Sequence, residues 1–270
     1  MSNPLTAAGV AIVLIMAIVA IFAPVIAPYD PLVIDIRGRL LPPSAAHWFG
    51  TDEVGRDVFS RVIYGSRLSL GVSFTVVLIA GVIGAMIGCF AGFEGGLIES
   101  VIMRIVDIML SIPGLVMAMA LSAALGPSLE NALIALVVVL VPSYIRLARG
   151  QARSVKGNAY VDAARLSGLS RWHILRKHVA PNSVQPVIIQ SSVDLGNVIL
   201  VAAALSFLGL GAQPPEPEWG ALVGTGRNYF LDHWWCVVFA GGAIVLTAIG
   251  FNLLGDGLRD FLDPRHSEGR

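Results

Sequence analysis

Six long stretches without a charged side chain recur along the 270-residue chain. They are residues 5–28, 68–93, 108–129, 131–145, 195–215 and 233–255. A helix needs about 20 apolar residues to cross roughly 30 Å of hydrocarbon, and all but the fourth stretch reach that length. The fourth is short, with 15 residues, but the helix can extend towards Leu147 if the Arg146 side chain reaches the membrane surface. The pattern predicts an all-α integral membrane protein with six transmembrane helices.

The composition agrees with burial in a bilayer. Only 13% of the residues are charged and the mean hydropathy is +0.77, whereas soluble domains carry roughly 25% charged residues. The net charge is zero, so there is no basic footprint for nucleic acid. No basic residue precedes the first apolar stretch, which we therefore expect to be a retained anchor rather than a signal peptide. Cys89 and Cys236 lie in apolar stretches and are expected to be buried thiols.

The distribution of arginine and lysine predicts the orientation. Residues 146–177 contain eight of the 18 basic residues and a single acid, which favours the cytoplasmic side. Six spans then place both termini in the cytoplasm. The predicted parts are an N-terminal transmembrane helix (1–29), an external segment (30–67), a five-helix core (68–256) with a cytoplasmic loop at 160–181, and a cytoplasmic tail (257–270).

The cytoplasmic loop has the pattern of two short helices joined by a turn. Asp162 suits the first turn of a helix. Ala163 and Ala164 form a small, helix-favouring surface, and Gly168 permits a sharp change of direction. A second helix then leads to Pro181, where the fifth span is expected to begin. We predict a knob that projects from the membrane and that a partner protein can approach closely.

The spacing in this loop resembles the "EAA" loop of ABC-importer permeases. That loop has an acid followed by two alanines, three residues, a glycine, twelve residues and a proline, and Asp162, Ala163, Ala164, Gly168 and Pro181 match it in register. The sequence departs from the pattern by having aspartate where glutamate is usual, and alanine where leucine normally precedes the proline. The shorter acid implies a weaker contact with the ATPase.

A second motif narrows the resemblance. Residues 50–61 read Gly-Thr-Asp-Glu-Val-Gly-Arg-Asp-Val-Phe-Ser-Arg and look like the external signature of the dipeptide/oligopeptide/nickel permeases, in their "C"-type subunit. The signature positions are Gly50, Asp52, Gly55, Arg56 and Asp57. Residues 103–107, 205–211 and 252–260 also look like that branch.

The resemblance implies a type I ABC importer permease fold with a cytoplasmic coupling helix, placed in a bacterial inner membrane with the segment 30–67 in the periplasm. It also implies four partners: a second permease subunit, two ATPase subunits and a periplasmic substrate-binding protein. The residues agree with this division of work, since the chain has no phosphate-binding Gly-x-x-x-x-Gly-Lys-Ser/Thr motif. We therefore expect no catalytic residues and no bound cofactor in this chain, with ATP and magnesium held by the partners. The five scattered histidines predict no metal site.

The third helix is expected to begin before Arg104 and the fifth after Pro181, so three charges just outside the charge-free stretches fall within these two spans. Arg104 and Asp107 are three residues apart, so they share a helix face and are expected to pair near the cytoplasmic boundary. Asp194 lies within the fifth span and must face the bundle interior, a water-filled path or a partner helix. Two roles remain equally open for Asp194. One is in the water-filled path or at a subunit interface, and the other is simple pairing with a polar neighbour.

Three classes of function remain. The first is an importer permease for di- and oligopeptides, with nickel chelates as the alternative substrate; the segments around His47 and His233 most resemble D,D-dipeptide permeases. The second is an intramembrane hydrolase, for which Asp107 and Asp194 are the only available carboxylate pair. The third is a secondary carrier that needs no ATPase. The two motifs favour the permease.

Overall fold

The computed structural model describes residues 4–262 and is built from α-helices. In chain order the helices are α1 (Pro4–Ile21), α2 (Ala23–Ile26), α3 (Val58–Glu94), α4 (Gly96–Leu110), α5 (Gly114–Leu125), α6 (Leu129–Lys156), α7 (Ala159–Leu166), α8 (Arg171–Ile174), α9 (Ala180–Ser183), α10 (Gln185–Phe207), α11 (Trp219–Gly226) and α12 (Trp235–Leu262). Between α8 and α9 the chain forms a π-helical turn, Leu175–Val179. No strand is assigned in this described range, which confirms the predicted all-α fold. The rest of the predicted tail, 263–270, lies outside it.

Five helices (α1, α3, α6, α10 and α12) are each long and apolar enough to cross a membrane. The third predicted span is instead broken into α4 and α5, which meet at an angle of 88°. Pro113 explains the break, because it has no N–H to donate and disfavours helical backbone at the residue before it. The prediction of six spans therefore holds if this bent pair counts as one crossing.

The long helices extend further than the apolar stretches. Helix α3 begins at Val58, nine residues before the predicted end of the external segment at 67, and α12 continues past 256. Asp57 starts α3 by accepting a hydrogen bond from the Ser60 N–H at 2.7 Å. Charge-free length marks the part that suits the membrane, whereas capping decides where the helix begins. The predicted boundaries at 67 and 256 are thus not helix boundaries.

Helices α3 and α6 form the centre of the bundle. Gly84, Gly88 and Gly92 face α6, so closely that a Cβ atom at any of them would overlap its backbone or side chains. Small residues allow helices to approach in a membrane, where no hydrophobic effect drives them together. Glycines at four-residue spacing let another helix approach closely, and in the structure that helix is α6.

The ends of the helices form two regions. One end holds the knob, residues 158–183, beside the ends of α3 and α6 and the start of α10. The other end holds the cap, residues 29–57 together with 208–234, which packs on the starts of α3 and α12. Helix α12 runs antiparallel to α10, since Gly196 faces Ala248 and Gly255 faces Val193. The last turn of α12 therefore lies on the knob side of the bundle.

Candidate functional site

The knob has the predicted helix–turn–helix form. Helix α7 ends at Leu166, and Gly168 adopts a φ of +77°, a backbone conformation that glycine adopts without strain. Ser170 then starts α8 by accepting a hydrogen bond from the His173 N–H at 3.3 Å. The turn at Gly168 is what directs the second short helix back towards the bundle.

The residues of the predicted coupling motif divide between a buried and an exposed side. Ala164 is buried, with 8% of its surface exposed, and packs in the core of the knob. Asp162, Ala163, Gly168 and Pro181 are all exposed. Asp162 forms an ion pair with Arg165 at 3.0 Å. Four of the five motif residues are therefore accessible to a partner protein. The buried side chain of Ala164 packs helix α7 onto the base of the knob.

The tip of the knob also carries leucines that the sequence motif did not indicate. Leu166 is 90% exposed and Leu169 is 38% exposed, on either side of Gly168. A leucine exposed to this extent at a projecting turn contributes nothing to the core of this chain. A search of the structure for exposed apolar residues next to the motif finds these two leucines.

Phe93, near the end of α3, connects the knob to the bundle. Its side chain is buried (2% exposed) in the same core as Val161 and Ile174 of the knob. Two cations lie over its ring, with Lys156 Nζ 5.6 Å and Arg171 Cζ 5.9 Å from the centroid. Lys156 also donates a hydrogen bond to the Phe93 carbonyl oxygen.

Ion pairs hold α4 against α6. Glu99 binds Arg149 and also lies 3.5 Å from Arg153. Asp107 binds Arg146 at 2.6 Å. The predicted pairing of Asp107 with Arg104 is therefore wrong, because Asp107 finds its cation on the neighbouring helix. Arg104 is exposed and has no ion pair within the described residues.

The signature at residues 50–57 forms a buried charged network in the cap. The Asp52 carboxylate accepts hydrogen bonds from the N–H groups of Val54 and Arg56 and from Arg56 Nε at 2.6 Å. Arg61 Nε lies 3.5 Å from the same carboxylate. Gly55 has a φ of +82°, and a Cβ there would overlap the carbonyl of Asp35. These signature residues fix the shape of the cap.

Asp57 and Gly50, the remaining signature residues, attach the cap to the bundle. Asp57 caps α3 and also binds His47 Nδ1 at 2.9 Å. Gly50 has a φ of +75° and lies against Trp235. The Trp235 indole donates a hydrogen bond to the Thr51 carbonyl at 3.1 Å.

Asp194 lies in the interior of the bundle. It is 6% exposed, and its Oδ1 accepts a hydrogen bond from Gln190 Nε2 at 3.1 Å. Its other oxygen, Oδ2, is buried and accepts no hydrogen bond of normal geometry. Beside it, Tyr144 donates a hydrogen bond to Ser191 Oγ at 3.1 Å. Asp194 is thus placed among polar neighbours, and only one of its two oxygens accepts a hydrogen bond of normal geometry.

The two intramembrane aspartates have separate surroundings. Asp107 is largely exposed and ion-paired with Arg146, whereas Asp194 is buried beside Gln190. A hydrolase dyad requires two carboxyl groups that share a proton or a substrate, and these two share no contact. The described residues also contain no cluster of His, Cys, Asp and Glu that could hold a metal ion.

Two family models match the sequence. Residues 84–268 match the model described as binding-protein-dependent transport system inner membrane component. Residues 1–43 match the N-terminal TM domain of oligopeptide transport permease C. The match to residues 1–43 covers α1 and part of the cap. The match to residues 84–268 covers most of the bundle and the whole knob.

Several proteins are similar to this chain over most of their length. The chain is 57% identical to the probable D,D-dipeptide transport system permease protein of Escherichia coli K12, over 97% of this chain and 88% of that protein. It is 48% identical to the dipeptide transport system permease protein of the same organism, over 95% and 88%. It is 45% identical to the dipeptide transport system permease protein of Alkalihalophilus pseudofirmus, over 97% and 86%.

Proposed function

The chain belongs to the binding-protein-dependent transport system inner membrane components, and we propose that it is one of two permease subunits of an ATP-driven importer of short peptides. It is a multi-pass protein of the inner membrane. The similar proteins are named for dipeptides, D,D-dipeptides and di/tripeptides, which favours a peptide over a nickel chelate. Within the complex the chain forms half of the translocation path.

The observation that carries the proposal is the construction of the knob. Its base is buried around Phe93, Val161 and Ile174, whereas its tip exposes Leu166 and Gly168. A projection with a rigid base and an apolar tip suits insertion into a groove of another protein. We propose that this protein is the ATPase subunit and that the knob therefore lies in the cytoplasm.

The finer arrangement is also part of the proposal. The second permease subunit is a different but related chain, two ATPase subunits bind the two knobs, and a periplasmic binding protein delivers the peptide to the cap. Both chain termini lie in the cytoplasm in this arrangement. The chain has no catalytic role of its own, and ATP with its magnesium ion is bound by the ATPase subunits. The basic residues of 146–177 support the orientation.

Reconstitution tests the proposal directly. The chain is purified with the permease, ATPase and binding proteins encoded beside it and placed in liposomes, and uptake of labelled dialanine is measured with and without ATP. We expect accumulation only when ATP, both ATPase subunits and the binding protein are present. Accumulation that persists without the ATPase subunits would refute the proposal and indicate a secondary carrier.

A further inference from the structure

Two amide side chains are exposed on one face of α10. Gln190 and Asn197 are both exposed, although each lies inside a helix long enough to span the membrane. They are seven residues apart, which places them on the same side of the helix, about 10.5 Å apart along its axis. An amide that faced lipid would leave its donors and acceptor unsatisfied. This face of α10 must therefore meet water, another protein chain or a polar ligand.

Asp194 lies between the two amides and behind them. Its Oδ1 accepts the hydrogen bond from Gln190 Nε2, and the Asn197 and Tyr144 side chains lie close enough to interact with the same carboxyl group. An amide has its nitrogen and its oxygen on opposite sides. When the nitrogen of Gln190 points back to Asp194, its oxygen is left to face outwards.

We propose that Gln190 and Asn197 bind the main chain of the passing peptide and that Asp194 is the residue that positions them. The proposal rests on the proposed function, because it assigns this face of α10 to the translocation path. Side-chain amides both donate and accept, so they complement the N–H and C=O groups that every peptide has, whatever its side chains. The outward oxygen of Gln190 suits a peptide N–H or the terminal ammonium group.

The length of the site selects short peptides. An extended chain covers about 3.3–3.6 Å per residue, so the rise of about 10.5 Å between positions 190 and 197 along the helix axis corresponds to roughly three residues. A tripeptide spans this distance, and the Gln190 side chain, which reaches towards Asp194, shortens it for a dipeptide of about 7 Å. The alternative occupant of this face is a helix of the second permease subunit, since amides also pair across helices in membranes. Nothing in that alternative requires a match to peptide length.

The test uses the assembled complex in nanodiscs, with the two native cysteines replaced by alanine. Ala204 lies on the same face of α10 as Asn197, two helical turns further along, and a small reporter cysteine is introduced there as Ala204→Cys. The rate at which a membrane-impermeant, charged methanethiosulfonate reagent modifies this cysteine is measured with and without dialanine. Ile15→Cys, on the exposed side of α1, is the control for a residue that faces lipid.

Three outcomes are informative. Modification of Ala204→Cys that dialanine slows at least fivefold, with Ile15→Cys unreactive, supports the proposal. A cysteine that reacts equally fast with and without dialanine overturns it, because the face would then be wet without binding peptide. A cysteine that does not react also overturns it, and a crosslink to the second permease subunit would show that the face is a subunit interface. The cysteine-free parent must import dialanine with ATP; if it does not, the proposed function fails instead.

Substitutions in the reporter background separate contact from positioning. Gln190→Leu is expected to raise the dialanine concentration that gives half-maximal protection about tenfold. Asp194→Ala is expected to have a similar effect, and Asp194→Asn, which keeps an oxygen for Gln190, is expected to remain within about threefold of the parent. Asp194→Ala that leaves protection unchanged in a normally assembled complex would show that Asp194 does not position the amides.

Discussion

Arg171 of the knob donates a hydrogen bond from Nη2 to Oε2 of Glu94, the last residue of α3, at 2.6 Å. The two residues are 77 positions apart in the chain. The Arg171 side chain is 71% exposed, and pairs of this kind contribute only about 0–1 kcal/mol to stability. The ion pair therefore adds little to stability. What it does is connect the knob to the end of α3, where α3 meets α4.

Reversing this pair should uncouple ATP hydrolysis from transport. Glu94→Arg or Arg171→Glu places like charges together, so the knob can move without pulling α3. We expect each variant to lower the dialanine imported per ATP hydrolysed at least threefold, with little change in thermal stability. The double variant restores opposite charges and should recover most of the coupling.

The matched control for this cycle is Arg259→Glu, which reverses an exposed charge near the end of α12. It should leave the coupling ratio unchanged. If the loss of coupling in the double variant equals the sum of the losses in the two single variants, the ion pair does not connect the knob to α3. The contact through Phe93 would then be the connection.

Gly168→Val should abolish transport without preventing membrane insertion. Gly168 has a φ of +77° and no neighbouring atom within 4 Å of a Cβ placed there. A valine therefore meets no clash inside this chain, but it must adopt a left-handed backbone at a cost of about 1–2 kcal/mol and it alters the tip of the knob. The measurements are dialanine uptake and co-purification of the ATPase subunits.

Gly157→Ala provides the comparison, because Gly157 has a φ of −81° and its Cβ would meet its nearest neighbour, the Ser154 carbonyl, at 3.5 Å. That variant should transport normally. Normal uptake by Gly168→Val would contradict the role given to the tip of the knob.

Glu216 in the cap should make stability depend on pH. Burial raises the pKa of its carboxyl group above the ordinary value of 4.5, and the negative charges of Glu130 and Glu218 raise it further. The folded state then holds the proton more tightly than the unfolded state. This contribution is fully present below the unfolded-state pKa and is lost as the pH rises through the folded-state pKa.

Glu216→Gln removes that dependence, since glutamine stays neutral. We expect the variant to melt at a higher temperature than the wild type at pH 7.5, and the difference to disappear below pH 4.5. Glu130→Gln should give a smaller change in the same direction. A wild-type protein that is the more stable of the two at pH 7.5 would show that the Glu216 pKa is not raised.

The features that the sequence predicts well depend on local geometry. The turn at Gly168 follows from residues adjacent in the chain, and the close approach of another helix to α3 follows from glycines at three- and four-residue spacing. The broken third span shows the limit of this reasoning. Pro113 indicates a break within that span, but the angle of 88° depends on how α4 and α5 pack, which the local sequence does not contain.

The predictions that fail depend on partners distant in the chain. Asp107 is one turn from Arg104, yet it pairs with Arg146, 39 positions away. Tryptophans at predicted outer boundaries suggest an aromatic belt, which fits Trp48 and Trp234, but Trp219 and Trp235 are buried. Their indole N–H groups bind backbone carbonyls of Val62 and Thr51 instead. Residue type alone cannot distinguish a lipid interface from a protein interface.

Asp52→Ala should open the cap far more than Glu53→Ala. Removing Asp52 leaves the Arg56 side chain, only 5% exposed, without its main partner, and an uncompensated buried charge costs about 3–5 kcal/mol. It also leaves the N–H groups of Val54 and Arg56 without an acceptor. Glu53 contributes one contact to Arg56, at 3.0 Å and partly exposed, so its loss should cost about 1 kcal/mol.

The measurement is the rate of proteolytic cleavage within residues 30–57 under native conditions, which follows the population of the opened cap. A difference of about 3 kcal/mol corresponds to more than a hundredfold faster cleavage. Asp52→Asn should be intermediate, because asparagine keeps an acceptor for the N–H groups but not the charge. Equal cleavage rates for the two alanine variants would mean that Asp52 does not hold the cap closed, and that the buried contacts of Trp235 do so without it.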